Sequence, residues 1–289
     1  TKIIQDLQEA RILLNEDPVK TEGGLSSGNA GESSNFLCYR ALRLNYYAVT
    51  GLLARVCLYA GQRENAFNYS TEVIKASNNG IFPFVDRSLV NGTAQDPDRI
   101  FSPEVLFALS DSQRGELFEE YFDPSLAPNM VFRMETDLLE QTIYGGTGTG
   151  GNLDDYRCRS NWISSGSARY FYKYSDMTES GRIENTMIPL LRLGEMYLIA
   201  AESQSNSLAN GVSYINTLRK NRGVSNLQTL TTTLLQYEYI REVYGEGQLF
   251  FMYKRMYSSI IRSNSATNNP APSNAVFVVP LPDTETENR

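Results

Sequence analysis

The sequence predicts a mainly α fold, in which helical hairpins pack against an irregular region with short strands. Three observations lead there. Apolar residues recur at helical spacing in three blocks lying within about 1–79 and 187–262. A short turn breaks each block, so that its second half returns antiparallel to the first. Between the blocks, residues of about 80–186 carry most of the Pro, Gly and aromatic punctuation and only short strand-like runs. With 289 residues, 41% hydrophobic and 20% charged, the chain can bury a substantial core and reads as a single domain over 1–289.

The elements follow in order. Ile3, Leu7, Ala10 and Leu14 share one helical face, and the pattern stops at Asn15–Pro18. Residues 19–34, with GG, SSG and GESS, read as a flexible connection. FLCYRALRLNYYAVTGLLARVCLYAG is expected to be one long apolar helix ending at Gly61, with Asn65–Ala76 as its antiparallel partner. Small residues Ala54, Ala60, Gly61 and Ala66 stand where the two must approach, as in a tetratricopeptide-type hairpin. A second hairpin is expected from IPLLRLGEMYLIAAESQ, an SNSL turn, and ANGVSYINTLRKNRG ending at Gly223. A third spans Leu230–Tyr244 and Gln248–Tyr257, with Gly245 and Gly247 around Glu246 at a tight junction. VLFAL and RYFYKY are the strand candidates of the central stretch, which is too long for an idle connection and so is the expected binding region.

Composition excludes several functions. Twenty-six Lys+Arg against 33 Asp+Glu give a net charge of -7, which disfavours nucleic acid and anionic lipid and suits neutral ligands. The absence of histidine removes Ser-His-Asp and Cys-His catalysis and every His-ligated metal site. Cys38 and Cys57 read as members of one helix about 28 Å apart, Cys158 sits in a loop-like YRCRSNW, and no CxxC occurs, so three thiols are expected. Arg192 and Glu195 interrupt the apolar run MIPLLRLGEMYLIAAE, and TKIIQDLQEA is an amphipathic helix rather than a signal peptide, so the chain as given is expected to be soluble.

Glu238, Arg241, Glu242, Glu246, Lys254 and Arg255 crowd two adjoining helices. Helical spacing explains them as ion pairs rather than as catalytic carboxylates, with Glu246 opening a helix whose dipole it complements. Arg192 and Glu195, three apart, read as a partly buried salt bridge, and Glu202 as part of the same packing network. DPDR at 96–99 and the pair Asp154, Asp155 lack the spacing of a calcium loop, and no metal or cofactor is expected. The glycine-rich run Tyr144–Asn152 lacks a GK[ST] ending and reads as a flexible loop. Its flanks combine aromatic rings, which can stack on the apolar face of a sugar, with groups that hydrogen-bond hydroxyls. Tyr144, Asp154, Asp155, Tyr156, Arg157 and Trp162 are therefore the expected ligand-binding residues, while RYFYKY alternates like a half-buried strand.

Several segments together resemble the SusD/RagB family of outer-membrane nutrient-binding proteins. RLNYYAVTGLLARVCLYAGQRENAFNYSTEVI is similar to its first helical hairpin and IPLLRLGEMYLIAAES to its most characteristic motif. SYINTLRKNRGV, EYIREVYGEGQLFFMYKRM and VFVVPLPDTETENR follow in the family's order. The resemblance implies a tetratricopeptide-like helical scaffold packed against an irregular ligand-binding region. It also implies a non-enzymatic cell-surface lipoprotein that captures oligosaccharide or polysaccharide above a SusC-like TonB-dependent outer-membrane transporter. The family's lipidated cysteine and the region after it do not precede Thr1, so the membrane anchor is expected outside this chain. Two alternatives stand beside this one. A peptide-binding scaffold is weakened by hairpins that are not in tandem, and a glycoside hydrolase lacks an identifiable carboxylate pair.

Overall fold

A computed structural model gives the fold. It describes residues 2–26, 35–91, 94–146, 148–179, 181–204, 207–262, 264, 266–280 and 282. The GESS end of the first connection, Ser205 and Asn206 of the SNSL turn, and residues 283–289 of the closing motif lie outside the described residues.

Helix α1 (Lys2–Leu13) packs on α3 (Tyr46–Tyr59). Its inner face is set by Ile4, with Leu7, Ala10 and Leu14 against the core, whereas the expected Ile3 is 60% exposed. Arg11 ties the helix to α3 by donating from Nε to the Thr50 hydroxyl at 3.2 Å, and one of its terminal nitrogens donates to both oxygens of Glu72 at 2.7 Å. A short α2 (Val19–Glu22) follows, then single turns at Asn35–Leu37 and Arg40–Leu42.

The long helix expected from Phe36 starts ten residues later, at Tyr46. Tyr39 adopts φ 47°, which ends any helical run there. Asn45 caps α3 by accepting the Ala48 N–H at 2.9 Å, and its amide donates to Arg40 O and Leu106 O. Cys38 therefore lies off the helix that carries Cys57, and Cys158 lies on a helix rather than in a loop. All three are free thiols, and burial pushes the Cys158 thiol up to about 12.

Helix α4 (Arg63–Asn78) returns along α3 as expected. The segment IPLLR differs from expectation: Met187–Arg192 is a strand, β5, antiparallel to β1 (Val105–Ser110), and the helix begins only at Leu193. Pro189 lacks an amide hydrogen and suits a bulged two-strand ribbon better than a helix interior. Helix α7 (Leu193–Glu202) is then buried along its whole length, between α3, α4, α8 (Val212–Asn221) and α9 (Thr232–Val243). Helix α10 (Leu249–Met256) folds back on α9, and a short α11 (Asn274–Phe277) places Phe277 against Phe250.

Between the helical blocks lie α5 (Arg114–Tyr121), β2 (Arg133–Glu135), a π-helical turn at Leu138–Ile143, α6 (Tyr156–Asn161), β3 (Trp162–Ser165) and β4 (Ala168–Phe171). The three strands form a small antiparallel sheet in the order β2-β4-β3, with Arg133 opposite Tyr170 and Trp162 opposite Phe171. One core runs from Ile4 to Phe277 and takes in Tyr144, Trp162 and Phe171 from the irregular region.

One glycine has a steric duty. A Cβ on Gly194, in the first turn of α7, would stand 2.1 Å from Glu242 Oε1. Glu242 is pinned on both oxygens and cannot yield. Gly194→Ala is expected to cost about 1–3 kcal/mol, as an overpacked core does, and to lower the melting temperature measured by calorimetry.

Candidate functional site

Underneath the irregular region lies a buried network of ion pairs. Glu242, on α9, accepts from Arg192 at 2.8 Å and Arg222 at 2.7 Å on one oxygen, and from Arg157 and Arg222 at 3.1 Å on the other. Arg222 also grips Glu104 with both prongs, at 2.7 and 2.6 Å. One turn back on α9, Glu238 accepts from Arg157 at 3.0 Å, from Arg241 at 3.1 Å, and from Arg219. Burial opposes ionisation of both glutamates, but the surrounding guanidinium groups outweigh it. Arg222, Arg192 and Arg157 hold Glu242 well below the ordinary value of 4.5, and Arg157, Arg241 and Arg219 lower Glu238.

Glu246 does not open a helix as expected. It sits in the turn between α9 and α10, where its carboxylate accepts from Arg192 at 2.7 Å and from Lys173. Burial pulls Lys173 down to about 8 despite that partner. Arg192 and Glu195 do not pair with each other either, because β5 ends between them: Glu195 takes Arg55 at 2.7 and 2.6 Å. Glu202 pairs with Arg255 at 2.9 and 2.7 Å and accepts from Tyr239.

Four of the six expected ligand-binding residues belong to this interior. Asp155 and Arg157 are each 1% exposed and bond each other at 2.9 and 2.6 Å. Tyr144 is buried beneath the Arg241 guanidinium, which stands 5.9 Å from its ring. Trp162 is 7% exposed, packed between Phe171 at 4.9 Å and Tyr244 at 5.2 Å. This corrects the expectation that these four meet a ligand: Asp155 and Arg157 are taken up by ion pairs, and Tyr144 and Trp162 are buried in the core. Asp154 alone is exposed and pairs with Arg159, while Tyr156 is half-buried against Gly223.

The glycine-rich run is likewise held. Ile143 O and Thr149 O accept from Arg241, and Gly150 O accepts from Arg219 at 2.9 Å, so two helices clamp the backbone of the loop. Thr147, within it, is outside the described residues.

What the irregular region presents outward is a band of aromatic rings. Phe118, Phe122, Phe132, Trp162, Phe171, Tyr172, Tyr174 and Tyr244 form one connected cluster, with neighbouring centroids 4.9–6.5 Å apart. Phe118, Trp162 and Phe171 are its buried base. Phe132 is 47% exposed, and Phe122, Tyr172, Tyr174 and Tyr244 are half-buried. Phe132 stands just ahead of β2, after the buried Val131, with its ring against Phe122 and Phe171.

A second concavity lies on the helical side. About 400 Å³ in volume, it is lined by Val56, Tyr59, Ile199, Val243, Phe251 and Met252 over the Arg55–Glu195 pair. Among the described residues no group of three or more Cys, Asp or Glu could hold a metal ion, and no helix is long and apolar enough to cross a membrane.

Together these features define a mainly α protein of tetratricopeptide-like hairpins, carrying an aromatic surface on an irregular insertion. The profile of the SusD family matches residues 112–276, more than half of the chain, and the chain belongs to that family. Three solved structures with the same fold are a SusD superfamily protein from Bacteroides vulgatus (21% identity, TM-score 0.63, 98% of this chain and 62% of that one), a SusD-like carbohydrate binding protein from the same species (18%, 0.62, 98% and 63%), and surface glycan-binding protein A from Bacteroides thetaiotaomicron in complex with laminarihexaose (17%, 0.64, 99% and 68%). The chain thus spans less than two thirds of the length of the two B. vulgatus proteins. No curated protein matches.

Glu242→Gln is expected to destabilise the protein by about 3–5 kcal/mol at pH 7, because three arginines lose their shared charge. The sign with pH follows from the depressed folded value. The contribution of Glu242 is complete above 4.5 and is lost as pH falls from there through the lower folded value. Thermal melts between pH 7 and pH 3 check this: the gap between native protein and Glu242→Gln should narrow with acid.

Proposed function

We propose that the protein is a non-catalytic, cell-surface glycan-binding component of a nutrient importer, delivering oligosaccharide to a SusC-like TonB-dependent outer-membrane transporter. The observation that carries the reading is the aromatic band of a SusD-family chain, with Phe132 as its outer ring. Phe132 is the exposed ring of this cluster and stands 5.7 Å from the half-buried Phe122, while the buried Phe118 joins Phe122 at 6.5 Å to the half-buried Tyr172 at 5.0 Å. Sugar faces stack on such rings while polar neighbours meet the hydroxyls. The laminarihexaose complex of a protein sharing this fold supports the ligand class. In this reading Trp162 is the base on which the outer rings rest and does not itself meet the ligand.

The carboxylates of α9 support binding without turnover. Glu238 and Glu242 are wholly buried and committed to arginines, so neither is poised to protonate a glycosidic oxygen. The membrane anchor and the transporter contact are read from the family alone.

The groove lined by Tyr59 and Phe251 favours a second reading, a peptide-binding scaffold. Retention of a labelled glycan, abolished by Phe132→Ala and indifferent to Phe251→Ala, would decide for the first.

The expected outcomes separate surface from base. Phe132→Ala should weaken glycan binding by about 1–3 kcal/mol in a calorimetric titration with little change in melting temperature. Trp162→Ala should instead cost about 3–5 kcal/mol of stability. Incubation with any polysaccharide that binds should release no reducing ends, and release that a Glu or Asp substitution abolishes would contradict the assignment.

A further inference from the structure

The polar end of the aromatic band contains an arginine that the fold leaves uncommitted. Arg99 is half-buried, and its guanidinium stands 5.9 Å from the centre of the Tyr172 ring. Among the described residues it makes no hydrogen bond and no ion pair, and its Nε is buried without a partner. The charged groups around it are otherwise engaged. Arg114 gives its terminal nitrogens to Glu184 O at 2.6 Å, Met187 O at 3.1 Å and Asp176 at 3.0 Å. Arg182 pairs with Glu184, and one oxygen of Asp98 takes both the Ser102 N–H and the Ser102 hydroxyl.

Asp96 is the carboxylate that acts most strongly on Arg99. Its Oδ2 accepts the Thr178 N–H at 2.9 Å, while Oδ1 accepts nothing from the described residues. Arg99 thus lies on the Tyr172 face with the opposite charge of Asp96 acting on it, and the two do not close into an ion pair. A second observation marks the same place. Three of the five buried side-chain polar atoms that lack a partner among the described residues are Asp98 Oδ1, Arg99 Nε and Arg114 Nε. Such a concentration of unmet polar groups is uncommon in a folded interior, and it gathers where a site is kept ready for something else.

The geometry points to a polar subsite for a neutral sugar ring, built from Asp96, Arg99 and Tyr172. It rests on the glycan reading above and adds the charge class of the ligand. One hydroxyl of a vicinal pair donates to Asp96 Oδ1, its neighbour accepts from the Arg99 guanidinium, and the C–H face of the ring lies on Tyr172. A neutral ligand fits better than an acidic one. A uronate or sulfate paired with Arg99 would also meet the charge of Asp96, and like charges at close range oppose binding. Phe122 and Phe132 extend the aromatic surface beyond Tyr172, joined to it through the buried Phe118.

The test is calorimetric titration of the whole chain with laminarihexaose, maltohexaose, cellohexaose, xylohexaose and mannohexaose as neutral probes and hexagalacturonate as the acidic one. At least one neutral hexasaccharide should bind. Arg99→Met and Asp96→Asn should each weaken it about tenfold or more, as removal of a polar anchor does, and Arg99→Lys should recover part of the loss. Melting temperatures should stay at that of the native protein, which separates a binding role from a structural one. If a neutral hexasaccharide binds, responds to Phe132→Ala, and ignores both polar variants, the subsite is wrong while the glycan reading stands. The same holds if hexagalacturonate alone binds. If no probe binds the native protein, both readings fall together.

Discussion

Glu242 is the group on which the architecture turns. One carboxylate on α9 receives Arg157 from α6, Arg192 from the end of β5 and Arg222 from the end of α8, so its two oxygens hold four segments in register. Around it, Arg157, Lys173, Arg192, Arg219, Arg222 and Arg241 face Glu104, Asp155, Glu238, Glu242 and Glu246. Networks of this kind add little net stability over apolar packing, since each ion has lost its water. What they fix is geometry: removing one member leaves its partners buried and unpaired. Gly194 records the same constraint in the neighbouring helix, which must pass the carboxylate with no side chain at that point.

The irregular region inherits its order from this network. It has few strands and short helices of its own, yet Arg241 and Arg219 reach out of α8 and α9 to take the carbonyls of Ile143, Thr149 and Gly150. Arg157 ties α6 to Glu238 and Glu242, and Lys173 ties the chain after β4 to Glu246. With the backbone clamped from below, the rings above it can stand in fixed positions. Trp162 and Phe171 spend their surfaces as the base, and Phe132, Phe122, Tyr172 and Tyr244 remain toward solvent. A preorganised aromatic surface limits the ordering cost of binding.

Much of this framework was legible in periodicity. Helices α4, α8, α9 and α10 and strands β1 and β4 lie where apolar spacing put them, because in each the local pattern and the tertiary packing agree. The start of α3 was not legible: Phe36–Leu44 has helical composition, but Asn45 caps the helix using Leu106 O, sixty-one positions away. IPLLR is a strand only because β1 lies beside it. The same distance in sequence hid the fate of Asp155 and Arg157. Nothing in YRCRSNW announces partners more than eighty positions downstream on α9. The segment around Trp162 was readable as aromatic and polar, but which ring faces water depends on Phe171 and Tyr244 closing over the indole. Phe132 could have been found from its place near the start of a short run, VFRME, just before the polar Arg133.

The central claim is that ligand meets the aromatic band and not the helical groove. Hydroxyl-radical footprinting with and without a bound neutral hexasaccharide tests it most directly, since ring oxidation reports each exposed aromatic separately. The account predicts protection at Phe132, Phe122 and Tyr172, with Tyr59 and Phe251 oxidised equally in both states. Protection of Tyr59 and Phe251 with no change at Phe132 would contradict it.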